Sequence, residues 1–185
     1  IKPVVVQFHG GETAQWLGLL KQSVKQEIWK AIGVKNADSL QNALRFRGAV
    51  DRLLYDAAPG VLPGGNGVAI DWALLAGFRH ELPWGLAGGL NPDNVAEAIR
   101  ISGAELLDAS SGLESAPGVK DAGRIRAFVQ AVKAAGALCF YDHANFNGVM
   151  GRIRARELGF DACMFMLHKT FGGPKGGGGP AVGAY

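Results

Sequence analysis

Long apolar runs, basic clusters and cysteines are all scarce in this 185-residue chain, and each scarcity removes a class of function. No apolar stretch approaches the ~18 residues of a membrane span, and the first residues lack the charged and apolar regions of a secretory leader. No membrane partner is therefore expected, and the expected setting is the cytoplasm. The formal excess of charge is only +3, with Lys and Arg scattered along the sequence. Nucleic acid, which needs a clustered basic stripe, is not an expected partner, whereas a small anion suits this balance. Only Cys139 and Cys163 carry thiols, each within an apolar stretch. Two buried thiols are expected there rather than a disulfide or a metal site, and no metal ligand set is assigned. A chain that opens on Ile1 rather than Met is expected to be processed, truncated or engineered.

Glycine, by contrast, is plentiful, and 48% of the residues are apolar, enough to bury a core in one domain or two small ones. The glycines fall where apolar stretches end. Strands are predicted over 4–8, 28–31, 53–55, 84–87 and 105–107, and helices over 13–25, 38–46, 72–75, 91–101 and 121–134. The first helix carries Trp16, Leu17, Leu20 and Val24 on one face, and Asp38 is the predicted cap of the second. Strand and helix alternating at this spacing demand parallel pairing with right-handed crossovers, hence an α/β layer or a (βα)8-type barrel. After about residue 134 the pattern changes to a strand over 137–141, a short helix over 149–158, a strand over 162–166, a glycine-rich loop and a last edge strand over 181–185.

In a parallel barrel the chemistry sits at the C-terminal ends of the strands, where glycine lets backbone N–H groups approach an anion. Gly64-Gly65-Asn66-Gly67, Gly88-Gly89 and Ser110-Ser111-Gly112 all follow strands. They either turn the chain tightly or cradle a phosphate, and three in succession favour the cradle.

The ordered stretches Val5-Val6-Gln7-Phe8-His9-Gly10, Asp51-Arg52-Leu53-Leu54-Tyr55-Asp56, Gly88-Gly89-Leu90-Asn91-Pro92-Asp93-Asn94 and Asp108-Ala109-Ser110-Ser111-Gly112, then Pro117-Gly118-Val119-Lys120-Asp121, resemble phosphoribosylanthranilate isomerase of tryptophan biosynthesis. The resemblance covers about residues 1–133, as the family's last five βα units. It implies that Asp56 is the general acid, that Asp108 holds the substrate's hydroxyls, and that Gly65, Gly67, Gly88, Gly89, Ser110 and Ser111 form the phosphate cradle. The family's reaction is an Amadori rearrangement, with an acid to open the ribose ring and a base to move a proton from C2. That base is a cysteine on the family's first strand, absent from this sequence, and neither Cys139 nor Cys163 matches it by motif.

Residues 134–185 bring a second resemblance. Tyr141-Asp142-His143-Ala144-Asn145 and Leu167-His168-Lys169-Thr170, with Gly176-Gly177-Gly178-Gly179-Pro180, are similar to a segment of the glycine decarboxylase P-protein, a fold-type-I pyridoxal-phosphate enzyme. It implies vestigial cofactor residues at Asp142, which would pair with the pyridinium nitrogen, and Lys169, which would form the Schiff base. The rest of that family's site has no counterpart here, so no cofactor is expected, pyridoxal phosphate included.

The expected fold is therefore a partial (βα)8-type barrel, residues 1–133, completed or capped by a strand-helix-strand(-strand) segment of fold-type-I origin, residues 134–185, packing onto the same sheet. A strand after the glycine loop running antiparallel to its neighbour makes an irregular barrel or open sheet the expectation, and a homodimer could cover a remaining edge. The main functional expectation is a fusion that binds phosphate, sulfate or a phosphorylated small molecule with little or no catalysis. The alternatives are an isomerase with residual activity and a pyridoxal-phosphate-binding protein.

Overall fold

The computed structural model describes residues 5–57, 70–143, 150–151, 154–166 and 181–184. Four strands, β1 (Val5–Phe8), β2 (Glu27–Val34), β3 (Arg52–Ala57) and β4 (Trp84–Leu86), pair in chain order and all in parallel. This is the α/β arrangement that the strand-helix rhythm implies. The helices between them, α1 (Ala14–Ser23), α2 (Ala37–Ala43) and α3 (Trp72–Ala76), each start on a polar side chain that accepts from a free N–H of the first turn: Thr13 from Trp16, Asn36 from Ser39 and Asp71 from Ala73. Such caps each contribute about 1 kcal/mol. The cap of α2 is thus Asn36 and not Asp38, which lies inside the first turn.

Strand alternation sorts the sheet into two faces. Ile28, Val34, Leu53 and Tyr55 point outward and join Leu17, Leu40, Phe46, Leu75 and Leu86 in one buried cluster. Tyr55 is sealed deeply enough that burial pushes its phenol up to about 12. The registered pairs Trp29 with Arg52, Ala31 with Leu54 and Gly33 with Asp56 occupy the other face. There Gly85 leaves room that a side chain would fill, since a Cβ on it would strike Leu106 and come within 3.1 Å of Leu54.

Helix α4 (Val95–Ser102) follows β4, closing on Gly103 in the left-handed conformation at φ 70°. It begins later than predicted: Asn91 and Pro92 belong to the preceding turn, because the two asparagines there are committed to backbone partners. The strand predicted over 105–107 shrinks to a single parallel bridge between Leu86 and Leu107. A short antiparallel hairpin, β5 (Glu114–Ala116) and β6 (Val119–Lys120), was not expected, and it turns through Gly118 at φ 78°. Helix α5 (Ala122–Ala134) then starts on Asp121, which accepts from Arg124.

Beyond α5, β7 (Phe140–His143) pairs in parallel with β8 (Ala162–Met166), and β9 (Ala181–Ala184) pairs antiparallel with β8. The helix predicted over 149–158 is, among the described residues, a 3-10 turn at Ala155–Leu158. Cys139, Leu158, Val95, Ile125 and Val129 form a second cluster that ties this part to α4 and α5. Asp161 reinforces the joint, binding Lys133 at 2.8 Å and accepting from the Cys139 N–H at 2.8 Å. Both cysteines are free thiols, Cys139 buried as expected and Cys163 only half-buried. Among the described residues no helix is long and apolar enough to cross a membrane.

Candidate functional site

The C-terminal ends of the strands converge on a mouth lined by charge. Asp56 lies one residue from the end of β3 and its register partner is Gly33, so no side chain crowds it from that strand. Asp108 follows the bridge at Leu107, its own N–H donating to the Leu86 carbonyl at 2.9 Å. Leu107 and Ala109 pack outward, which turns the intervening Asp108 inward. On β7 the same alternation holds: Tyr141 packs outward against Phe160, and Asp142 faces the mouth.

These carboxylates act on one another. Asp108 is solvent-exposed, yet its carboxyl is pushed above the usual range, first by the protein atoms that displace water around it and next by the negative charge of Asp56. Asp142 pushes the same way, while His9 and Lys120 oppose. Exposure and desolvation coexist because the mouth is concave: Asp108 opens to water on one side and is ringed by protein on the other. The groups are too dispersed for a cation, and among the described residues no three His, Cys, Asp or Glu side chains could hold a metal ion.

Beside Asp56 runs the loop Gly88-Gly89. Both residues adopt left-handed backbone, at φ 82° and 67°, which disfavours any side chain. Gly88 is also pressed against β3: a Cβ there would strike the Ala57 backbone and lie 2.6 Å from Asp56 Oδ1. The loop is braced from below, since the Asn91 and Asn94 amides both donate to the Gly89 carbonyl, at 3.3 and 3.0 Å. With that carbonyl engaged, the Gly88 and Gly89 N–H groups have no acceptor among the described residues. Gly112 serves the neighbouring loop similarly, because a Cβ on it would strike the Leu90 carbonyl oxygen. This close approach brings the Ser110-Ser111-Gly112 loop against Leu90 and Asn91, the residues next after Gly89, and the Ser110 and Ser111 N–H groups likewise have no acceptor among the described residues.

The sequence-predicted residues are thus partly united. Asp56, Asp108, Gly88, Gly89, Ser110 and Ser111 line one mouth. Gly65, Gly67 and Lys169 lie outside the described residues, so the third glycine loop and the vestigial pairing of Asp142 with Lys169 are not part of the described site. Three features escaped the sequence reading. The Asn91 and Asn94 brace was signalled by Asn three apart around a Pro, an Asx-turn pattern. The hairpin that delivers Lys120 was signalled by Pro117-Gly118. Arrival of Asp142 at the same mouth had no local signal. A cleft of about 460 Å³ lies at the opposite end of the strands, lined among others by Arg52, His80, Trp84 and Glu105, and contains none of these groups.

Residues 1–131 match the family model for N-(5'-phosphoribosyl)anthranilate (PRA) isomerase. The N-(5'-phosphoribosyl)anthranilate isomerase of Erythrobacter litoralis is 58% identical over 135 residues, covering 73% of this chain and 65% of that protein. Among solved structures, the phosphoribosyl anthranilate isomerase of Thermotoga maritima superposes with a TM-score of 0.61 at 32% identity, covering 71% of this chain and 62% of that one. A further isomerase, in complex with reduced 1-(o-carboxyphenylamino)-1-deoxyribulose 5-phosphate, gives 0.55 at 32% identity, covering 71% and 60%. The chain therefore spans somewhat under two thirds of the length of these relatives. The expectation of a fusion with little or no catalysis is overturned by this match, which assigns residues 1–131 to the isomerase family and finds a curated isomerase 58% identical over 135 residues. Nothing in these findings supports a glycine-decarboxylase origin for residues 134–185.

Proposed function

The chain belongs to the N-(5'-phosphoribosyl)anthranilate isomerase family, and from that membership we propose that it functions in the isomerisation of phosphoribosylanthranilate in tryptophan biosynthesis. Asp56 is assigned as general acid, protonating the ribose ring oxygen as the ring opens. Asp108 accepts from the sugar hydroxyls. Gly88, Gly89, Ser110 and Ser111 hold the phosphate through backbone N–H groups, a grip that costs no reorganisation because the donors are already free and fixed. The base that removes the C2 proton is, in the family, a cysteine on a strand outside this sequence. The residues here therefore supply the acid, the hydroxyl contact and the anchor that keeps the sugar in register.

The observation that carries this reading is the contact between loop and acid. A phosphate seated on Gly88-Gly89 places the attached ribose directly over Asp56, because Gly88 itself approaches Oδ1 too closely for any side chain to intervene. The test is turnover of phosphoribosylanthranilate followed by its fluorescence. Turnover is expected to drop by about 10²- to 10⁴-fold in Asp56→Asn, as for loss of a general acid. Equal turnover in the two proteins, or none in either, would overturn the assignment.

A further inference from the structure

Lys120 is an exposed residue on a two-stranded hairpin at the protein's rim, and its surroundings are unusual for such a position. Its ammonium donates to the Ser110 carbonyl at 2.9 Å, to Ser110 Oγ at 3.1 Å and to Glu114 Oε1 at 2.7 Å. An ammonium has three protons, so all of them are engaged. Glu114 is fixed in turn by the Gly118 N–H at 3.0 Å, and its carboxyl is held below the usual range chiefly by the hydrogen bond from Lys120. The Ser110 carbonyl also accepts from the Leu113 N–H at 3.1 Å.

Resting on the phosphate site proposed above, we infer that Lys120 is a positioning residue that orients Ser110 to donate to the substrate's phosphate. A serine offers one hydroxyl proton and two kinds of acceptor, its own Oγ and its carbonyl. Here the ammonium occupies Oγ and carbonyl alike. The hydroxyl proton must then point away from Lys120, and the backbone N–H has no acceptor among the described residues. What Ser110 presents to an approaching anion is two donors, with its carbonyl filled by Lys120 and Leu113 and one of the two Oγ lone pairs held by the ammonium. Without Lys120 the hydroxyl is free to turn toward Glu114 or its own carbonyl, leaving acceptors facing the phosphate. Because the Lys120 charge is already paired with Glu114, the effect is one of orientation more than of added charge.

The experiment is calorimetric titration of the intact chain with inorganic phosphate and with the reduced carboxyphenylamino-deoxyribulose 5-phosphate. Lys120→Met is expected to weaken both by on the order of tenfold, with KM raised and kcat little changed. Lys120→Arg should recover most of the loss. Ser110→Ala and Lys120→Met should be non-additive in the double variant, a coupling that a purely structural role of the hairpin would not produce. Additive effects, or wild-type affinity in Lys120→Met, would overturn the inference while leaving the phosphate site standing. A wild-type protein that binds neither probe would overturn the phosphate site itself and the inference with it.

Discussion

The β1–β4 sheet and the β7–β9 sheet use the same alternation of side chains with opposite outcomes on their inner faces. On the first, Leu54 is only 2% exposed, because Gly85 lets it meet Leu106 across the sheet. On the second, Phe140 is 61% exposed, and Leu138, leading into the strand, is 85% exposed. The outer faces do not differ in this way: Cys139 and Tyr141 pack into the cluster around α5 much as Leu53 and Tyr55 pack beneath the first helices. Alternation assigns a residue to a face, but burial of that face depends on what other strands and side chains approach it.

That contrast is sharpest in a pair of substitutions. Leu54→Ala removes a buried side chain from the inner face of the first sheet, where it lies beside Gly85 and Leu106. A loss of about 2–5 kcal/mol is expected in denaturant unfolding. A loss under about 1 kcal/mol would show that the first sheet is no better packed than the second.

Gly88→Ala tests whether the loop beside Asp56 needs its conformation. Positive φ and the clash with Ala57 together should cost about 1–3 kcal/mol and abolish detectable phosphate binding. A variant that binds phosphate as the wild type does would remove Gly88 from the site.

Asp161→Asn loosens the joint between the two parts. The bond from Lys133, and after it the Cys139 N–H, hold this carboxyl below its usual range. Its stabilising contribution is therefore present above the unfolded value near 3.8 and lost as pH falls through the lowered folded value. The variant should melt earlier than the wild type at neutral pH, and the two should converge on strong acidification. A pH-independent gap would rule out the ion pair as the cause.

Asp108→Asn has the opposite sign. Desolvation by the surrounding protein, followed by the charge of Asp56, raises this carboxyl, so its ionised form opposes folding. Its favourable contribution exists below 3.8 and disappears as pH rises through the raised value. The variant should thus melt later than the wild type at neutral pH while binding the phosphorylated analogue less well, the margin in melting shrinking with acid. A variant melting earlier at neutral pH would contradict this balance of charge. The smallest effect is reserved for Phe140→Ser, which should lie within about 0.5 kcal/mol of the wild type despite removing a large aromatic ring from a strand. A larger loss would mean that the inner face of β7 is covered.

Much of this was legible beforehand, and for specific reasons. Gly88-Gly89 and Ser110-Ser111 were legible as loops at strand ends because glycine follows an apolar run there, and the position of Asp56 follows from counting along one strand. The expectation of little or no catalysis does not hold against the family match: a base missing from the sequence is a single-residue signal, whereas family membership rests on 58% identity over 135 residues. The start of α4 was misplaced because Pro92 fits a first turn equally well, and only the competing bonds of Asn91 and Asn94 exclude it.

By itself the sequence determined the alternating elements, their caps, the glycine loops and the acids at strand ends, since each depends on residues within a few positions of one another. Tertiary structure alone decided which of these meet. Lys120 reaches Ser110 across a hairpin, Gly88 touches Asp56 across two strands, and Asp142 joins Asp108 from a segment of different pattern. Contacts of that kind are set by packing of distant elements against a shared core, and no local propensity encodes them.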